Sequence, residues 1–132
     1  MKTRPLSPAV QYAALRRALP GSRGSVRGGR LVCWGSVQPL PISQRYAVRF
    51  ELEPRQLPSV TVESPNLIHP EWGKPPHTYD PDQPCLFYPA DRDWAPSKLL
   101  SRTVLPWLLE WLVYYESWAV TGHWQGGGVH PA

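Results

Sequence analysis

Two of the 132 residues are cysteines, Cys33 and Cys85, and they occupy different surroundings. Cys33 stands in Leu31-Val32-Cys33-Trp34, an apolar run that reads as buried strand. Cys85 stands in Pro84-Cys85-Leu86-Phe87-Tyr88, with His69 and His77 before it and Asp91 and Asp93 after it. A thiol can carry an acyl group as a thioester, an activated intermediate open to attack by a second nucleophile. A free thiol near pKa ~8.5 is only a few per cent thiolate at neutral pH. Exchange between thioesters tolerates this, because the incoming acyl group already sits on a good leaving group. When the second nucleophile is an amine with a reference pKa near ~10.4, a nearby carboxylate can orient it or accept its proton. Asp91 and Asp93 are the candidates for that role, and Arg92 or Lys74 could favour the thiolate. Taken alone, Cys85 would read as a small buried hydrophobe, and the two histidines as loop residues bonded to backbone.

Other chemistries fit less well. Cys85, His69 and His77 match no standard zinc spacing, and two cysteines make neither a disulfide scaffold nor a four-cysteine zinc site. A Cys/His hydrolase lacks an identifiable third residue to orient the histidine. Gly24, Gly28 and Gly29 fit neither phosphate-binding fingerprint. No cofactor or metal is implied.

The elements that must position Cys85 follow from periodicity. Ser7-Pro8 reads as an N-cap with proline at the first helical position. Val10, Ala13, Ala14, Leu15 and Ala18 recur at helical spacing up to Pro20-Gly21, so a first helix is predicted over 8–19. Ser22–Gly29, rich in Gly, Ser and Arg, reads as a flexible loop. Strands are predicted at Leu31–Gly35, at Tyr46–Leu52, where apolar residues alternate with Arg49 and Glu51, and at Val60–Val62. These three short-connected strands suggest an antiparallel meander. From Pro65 to Pro84, prolines at 65, 70, 75, 76, 81 and 84 exclude a helix or central strand. A loop of that length is usually functional or disordered, and Trp72, His69, His77 and Tyr79 favour order. Leu99 to Thr121 is apolar on nearly every side, a helix that is buried or covers a sheet. Ser97 or Ser101 is expected to cap it, Pro106 to kink or restart it, and Gly122 to end it. The tail at 126–132 is expected to be flexible.

Composition bounds the class. The 17 prolines and 10 glycines stay below low-complexity levels, and seven Trp, six Tyr and two Phe are incompatible with disorder. One domain spanning 1–132 is expected. Residues 1–50 carry nine Lys and Arg and no acid, while the remainder carries five against ten acids, giving a net charge of +4. A basic first third raises a nucleic-acid partner, but no aromatic residues interleave with the arginines for base stacking, so none is expected. Met1–Gly21 lacks the apolar core of a secretory signal. Val104–Val120, interrupted by Pro106, Glu110 and Glu116, is too short and too polar for a membrane span. A reduced, cytoplasmic protein is expected.

The order helix, meander, proline-rich loop, cysteine, Asp-Trp-x-Pro, helix resembles the ubiquitin-conjugating enzyme (UBC-like) family. Cys85-Leu86 is followed nine residues on by Trp94-Ala95-Pro96, similar to that family, where a Trp-x-Pro lies about ten residues after the cysteine. The match is closer to a bacterial branch associated with CBASS antiphage operons. It rests on Pro76-His77-Thr78-Tyr79, Cys85-Leu86-Phe87-Tyr88-Pro89, Trp107-Leu108-Leu109-Glu110-Trp111-Leu112 with Tyr115-Glu116, and Thr121-Gly122-His123-Trp124 with Gly126-Gly127-Gly128. It is specific from about Pro76 to His130; over residues 1–65 only the element order agrees. The resemblance implies an α+β, UBC-like fold with an N-terminal helix, an antiparallel meander, a long active-site loop and a C-terminal helix on the sheet. It implies a thioester on Cys85 with the C-terminus of a cGAS-like nucleotidyltransferase, passed to an amine, with Asp93 as the acid before Trp94. No adenylating domain fits in this length, so a separate activating enzyme or an unusual mechanism is implied.

One departure stands out. The family's His-Pro-Asn is absent. His69-Pro70-Glu71 imitates its first two residues but lies 16 residues before Cys85, whereas His77 lies eight before it and is the positional equivalent. Glu71 cannot donate to an oxyanion unless protonated, so His77, Thr78, Tyr79 or a backbone N–H must supply any donor. The alternative is a UBC-like module without catalysis that binds a partner's C-terminal tail. In either case the loop, with Trp72, Tyr79 and Trp94 beside it, is the expected path of that tail.

Overall fold

In a computed structural model of the chain, residues 4–80, 82–87 and 94–126 are described. The elements are α1 (Pro8–Ala18), β1 (Arg23–Arg27), β2 (Arg30–Val37), β3 (Tyr46–Leu52), β4 (Ser59–Ser64), a single 3₁₀ turn at Leu100–Arg102, and α2 (Val104–Thr121). The architecture is mixed α+β. The four strands form one antiparallel sheet in the order β1-β2-β3-β4.

Helix α1 begins as its sequence dictates: Ser7 Oγ accepts the Val10 N–H at 3.2 Å, and Pro8 occupies the first turn, where its missing N–H costs nothing. The face it buries is not the alanine-rich one. Val10 is 48% exposed, whereas Gln11 and Leu15 are fully buried. A buried polar side chain is stable only when hydrogen-bonded. Gln11 satisfies this at both ends, Nε2 donating to the Lys98 carbonyl at 2.8 Å and Oε1 accepting the Leu100 N–H at 2.9 Å. A further bond from Leu6 N–H to the Pro96 carbonyl, 2.8 Å, ties the approach to α1 onto the segment that leads into α2.

The expected loop at 22–29 is instead the edge strand β1. Its residues show little apolar alternation, and only pairing with β2 makes them a strand, from Arg23 opposite Trp34 to Arg27 opposite Arg30. Gly28 and Gly29, with φ of 57° and 76°, supply the two-residue left-handed turn that suits the twist of a hairpin. Exposed Arg23 and Arg27 lie on this edge, where charge discourages pairing with another sheet. The other three strands follow their period of two. Leu31, Cys33 and Val37, Tyr46, Val48 and Phe50, and Val60 and Val62 are buried in one core. On the opposite face Arg49 spans Glu51 at 2.8 Å and Glu63 at 2.5 Å.

Helix α2 starts later than expected. The 3₁₀ turn ends at Thr103, whose Oγ1 donates to the Leu99 carbonyl at 2.7 Å instead of capping the helix, and neither Ser97 nor Ser101 caps it. Pro106 then falls in the first turn of α2, where its missing N–H has no intrahelical partner to lose, so proline restarts the helix. Val104, Leu105, Leu108, Trp111, Leu112, Tyr115 and Trp118 join the sheet's core. Glu116, half-buried, accepts the hydroxyls of Ser43 and Tyr46, both at 2.7 Å, and so anchors the β2–β3 connection to α2. Gly122 closes the helix at φ 77°, its N–H bonded to the Trp118 carbonyl at 2.7 Å. No helix among the described residues is long and apolar enough to cross a membrane.

Candidate functional site

Among the described residues between β4 and α2 there are almost no ladder hydrogen bonds, and prolines remove many of the donors that would need them. Two small turns organise it. In the first, His69 and Gly73 exchange backbone bonds of 2.8 and 2.9 Å, and His69 Nδ1 accepts the N–H groups of Glu71 and Trp72 at 3.0 and 3.2 Å. The imidazole stacks on Trp72 with centroids 5.2 Å apart and meets Trp118 edge-on at 6.0 Å. Trp72 Nε1 donates to the Ala119 carbonyl at 3.2 Å. The His-Pro-Glu sequence is therefore a turn fastened to the C-terminal end of α2.

The second turn presents the thiol. Tyr79 N–H bonds to the Gln83 carbonyl at 2.9 Å, Gln83 N–H to the Asp80 carbonyl at 3.0 Å, and Cys85 N–H to the His77 carbonyl at 2.7 Å. Thr78 and Pro84 form a bridge between the two arms. The turn is held to the sheet by Val62 N–H, which donates to the Asp82 carbonyl at 2.7 Å, and within the loop Thr78 Oγ1 donates to the Pro75 carbonyl at 3.0 Å. Residues eight apart in sequence, His77 and Cys85, are thus directly opposite each other. His77 adopts φ 57° and is 8% exposed, with its ring 5.4 Å from that of Trp124.

The two thiols differ in the way their surroundings suggest. Cys33 is wholly buried and its thiol is pushed above its ordinary pKa, chiefly by desolvation, so it is inert core. Cys85 is partly exposed, its Sγ 3.8 Å from the Phe87 carbonyl. A pocket of about 280 Å³ is lined by Leu57, Pro58, Tyr79, Val104 and the two chain neighbours of Cys85, Pro84 and Leu86, among others, but not by Cys85 itself. Among the described residues the lining carries no charged side chain, which suits an apolar group of a polypeptide or small ligand.

Of the residues expected beside the thiol, Tyr79 is 56% exposed and forms part of that pocket. Trp72 is committed to the end of α2. Trp94 is half-buried and packs on the core. Lys74 Nζ reaches the Tyr79 carbonyl at 3.5 Å. Asp91, Arg92 and Asp93 lie outside the described residues. Among the described residues no three His, Cys, Asp or Glu side chains cluster as metal ligands. Periodicity gave no sign of the pocket wall formed by Leu57 and Pro58, because it comes from the connection between β3 and β4. Nor did it reveal the contact of Trp124 with His77, which joins residues far apart in sequence.

The fold and site define an α+β protein that offers one partly exposed thiol at the end of a long, side-chain-fastened loop. Residues 11–131 match the family model described as type II CBASS E2 protein, and the chain belongs to that family. It is thereby an E2-like protein of a CBASS antiphage defence system. No curated protein matches the sequence.

Proposed function

We propose that Cys85 carries the C-terminus of a partner protein as a thioester and passes it to an amine. The partner is a cGAS-like nucleotidyltransferase and the setting is the reducing cytoplasm. The observation that supports this reading is the contrast between the thiols: of two cysteines, Cys33 is buried, whereas Cys85 is partly exposed and held by a backbone bond to His77. In the first step the Cys85 thiolate attacks the activated carbonyl of the partner's terminal residue. The Sγ–C bond forms, and the bond to the activating enzyme's leaving group breaks. In the second, an amine nitrogen attacks the same carbonyl, an amide forms, the amine proton passes to a base and Cys85 leaves as thiolate. Asp93 is the base assigned to this proton. His77 lines the approach and holds the loop that presents the sulfur. The UBC-like fold of the family accommodates both steps with the tail lying along residues 66–84, past Tyr79.

The test is to incubate the chain with its operon nucleotidyltransferase and any activating enzyme, and to run a non-reducing gel. A conjugate band is expected that added thiol removes, that Cys85→Ala abolishes and that Cys85→Ser converts into a thiol-resistant oxyester. A band of unchanged intensity with Cys85→Ala would refute the proposal. Co-purification of the two proteins with no thiol-labile band would mark the chain as a tail-binding module instead.

A further inference from the structure

The segment after α2 does more than end the chain's last helix. Trp124 lies with its ring centroid 5.4 Å from Trp111, 6.1 Å from Tyr114 and 5.4 Å from His77. Two residues on, Gly126 lies so close to Tyr114 that a Cβ there would come within 2.5 Å of the ring. The segment is therefore laid flat across two aromatic residues of α2, with its indole against the histidine of the thiol-bearing turn.

His77 has a backbone conformation that its side chain disfavours. A non-glycine residue at φ 57° is strained by roughly 1 kcal/mol or more, and it persists only where its surroundings hold it. The same conformation aims the His77 carbonyl at the Cys85 N–H, 2.7 Å away. A buried imidazole packed against Trp124 cannot swing out while the backbone relaxes, so the ring contact locks the peptide geometry.

We infer that Trp124 is a positioning residue for the Cys85 thiol: it pins the His77 ring, and the pinned His77 holds Cys85 in place through its carbonyl. The inference rests on the proposed role of Cys85 for its catalytic meaning, but not for its structural content. Without Trp124 the left-handed turn at His77 relaxes, the bond to Cys85 opens and the sulfur loses its fixed approach to an acyl carbon.

The experiment measures amide hydrogen exchange by NMR on the full chain, with single-turnover thioester formation as a second readout. In Trp124→Ala the Cys85 amide is expected to exchange at least tenfold faster, while the Val48 and Phe50 amides of β3 change less than twofold. Trp124→Phe restores protection at Cys85. Thioester formation at saturating partner slows at least tenfold in Trp124→Ala with its dependence on partner concentration unchanged. Leu15→Val, a core change remote from the turn, lowers the melting temperature without moving Cys85 exchange. Trp124→Leu keeps the apolar bulk and takes the place of Trp124→Ala if that variant does not fold. Unchanged Cys85 protection in a folded Trp124→Ala or Trp124→Leu overturns the inference. Fast Cys85 exchange in Trp124→Ala, together with a parent chain that forms no thiol-labile conjugate, would uphold the positioning and refute the carrier role.

Discussion

Gln11 offers the sharpest test of how the scaffold is joined. Its amide is the only side chain that bonds both the Lys98 carbonyl, at 2.8 Å, and the Leu100 N–H, at 2.9 Å, among the described residues. Replacing it with methionine keeps the length, the packing and nearly the same helix propensity, so the hydrogen bonds alone are removed. The Leu100 N–H is buried and then has no partner, which costs roughly 1–3 kcal/mol; the less buried Lys98 carbonyl can regain water, and its lost bond costs about 1 kcal/mol. A total of about 2–4 kcal/mol is a large share of the roughly 5–15 kcal/mol that separates folded from unfolded chains. At a few degrees per kcal/mol for a domain of this size, the melting temperature falls by roughly 10 °C. Gln11→Ala adds about 1 kcal/mol for lost methylene contacts. Circular dichroism at 222 nm against temperature and urea measures both variants, with the urea m-value expected to stay constant because the unfolded surface is unchanged. A Gln11→Met midpoint within about 2 °C of the parent would refute the reasoning, since it would mean that the buried amide contributes no net hydrogen-bond energy.

Two further outcomes follow from other parts of the structure. Gly122→Ala puts a Cβ 3.2 Å from the Trp72 indole at φ 77°, and should cost about 1–2 kcal/mol, seen as a melting temperature lower by several degrees, with Gly122→Asn costing less. Tyr46 is wholly buried and donates to Glu116, so desolvation first, and then the hydrogen bond to the carboxylate, raise its pKa above the ordinary tyrosine value. The folded state thus holds this proton more tightly than the unfolded chain does, and the stabilisation is complete below pH ~10 and declines as pH rises above it. Urea midpoints at pH 8 and 10.5 should show that decline, reduced in Tyr46→Phe. A residue of slope remains from Tyr115, which burial also raises.

Much of the scaffold can be read from local chemistry. Ser7-Pro8 starts a helix because both residues satisfy the needs of a first turn, and Gly122 ends one because glycine takes the left-handed conformation freely. Tyr46–Leu52 is legible because Arg49 and Glu51 alternate with Val48 and Phe50, so one face meets the core and the other meets water. Cys85 stands out through its flanking residues. Strand β1 is hidden, since an edge strand of Arg, Gly and Ser carries little apolar signal and exists because β2 offers it a partner. The Gly28-Gly29 pair was the one local sign of the hairpin. Gln11 and Trp124 are hidden for a different reason. Each derives its role from groups brought near by tertiary packing, 87 and 89 residues away for Gln11, and no spacing in the sequence encodes that.

The proline content and the tryptophan content turn out to be one design. A loop from Pro65 to Phe87 cannot use strand ladders, because proline supplies no N–H. By the same token it carries fewer buried donors that would have to be satisfied, and its unfolded chain has less conformational freedom to lose. What it lacks in backbone bonds is supplied by side chains: Trp72 on the Ala119 carbonyl, His69 against Trp118, His77 against Trp124 and Phe87 against Trp107 at 5.8 Å. Three of those partners, Trp107, Trp118 and Ala119, belong to α2, as does the Trp111 that backs Trp124. The helix that reads as apolar on every side is therefore apolar for two purposes, closing the core under the sheet and gripping the loop, and Trp111 and Trp118 serve both. A grip distributed over several rings keeps the turn at 77–85 in one conformation without burying its sulfur. That is the condition under which a thiol can be both accessible and fixed.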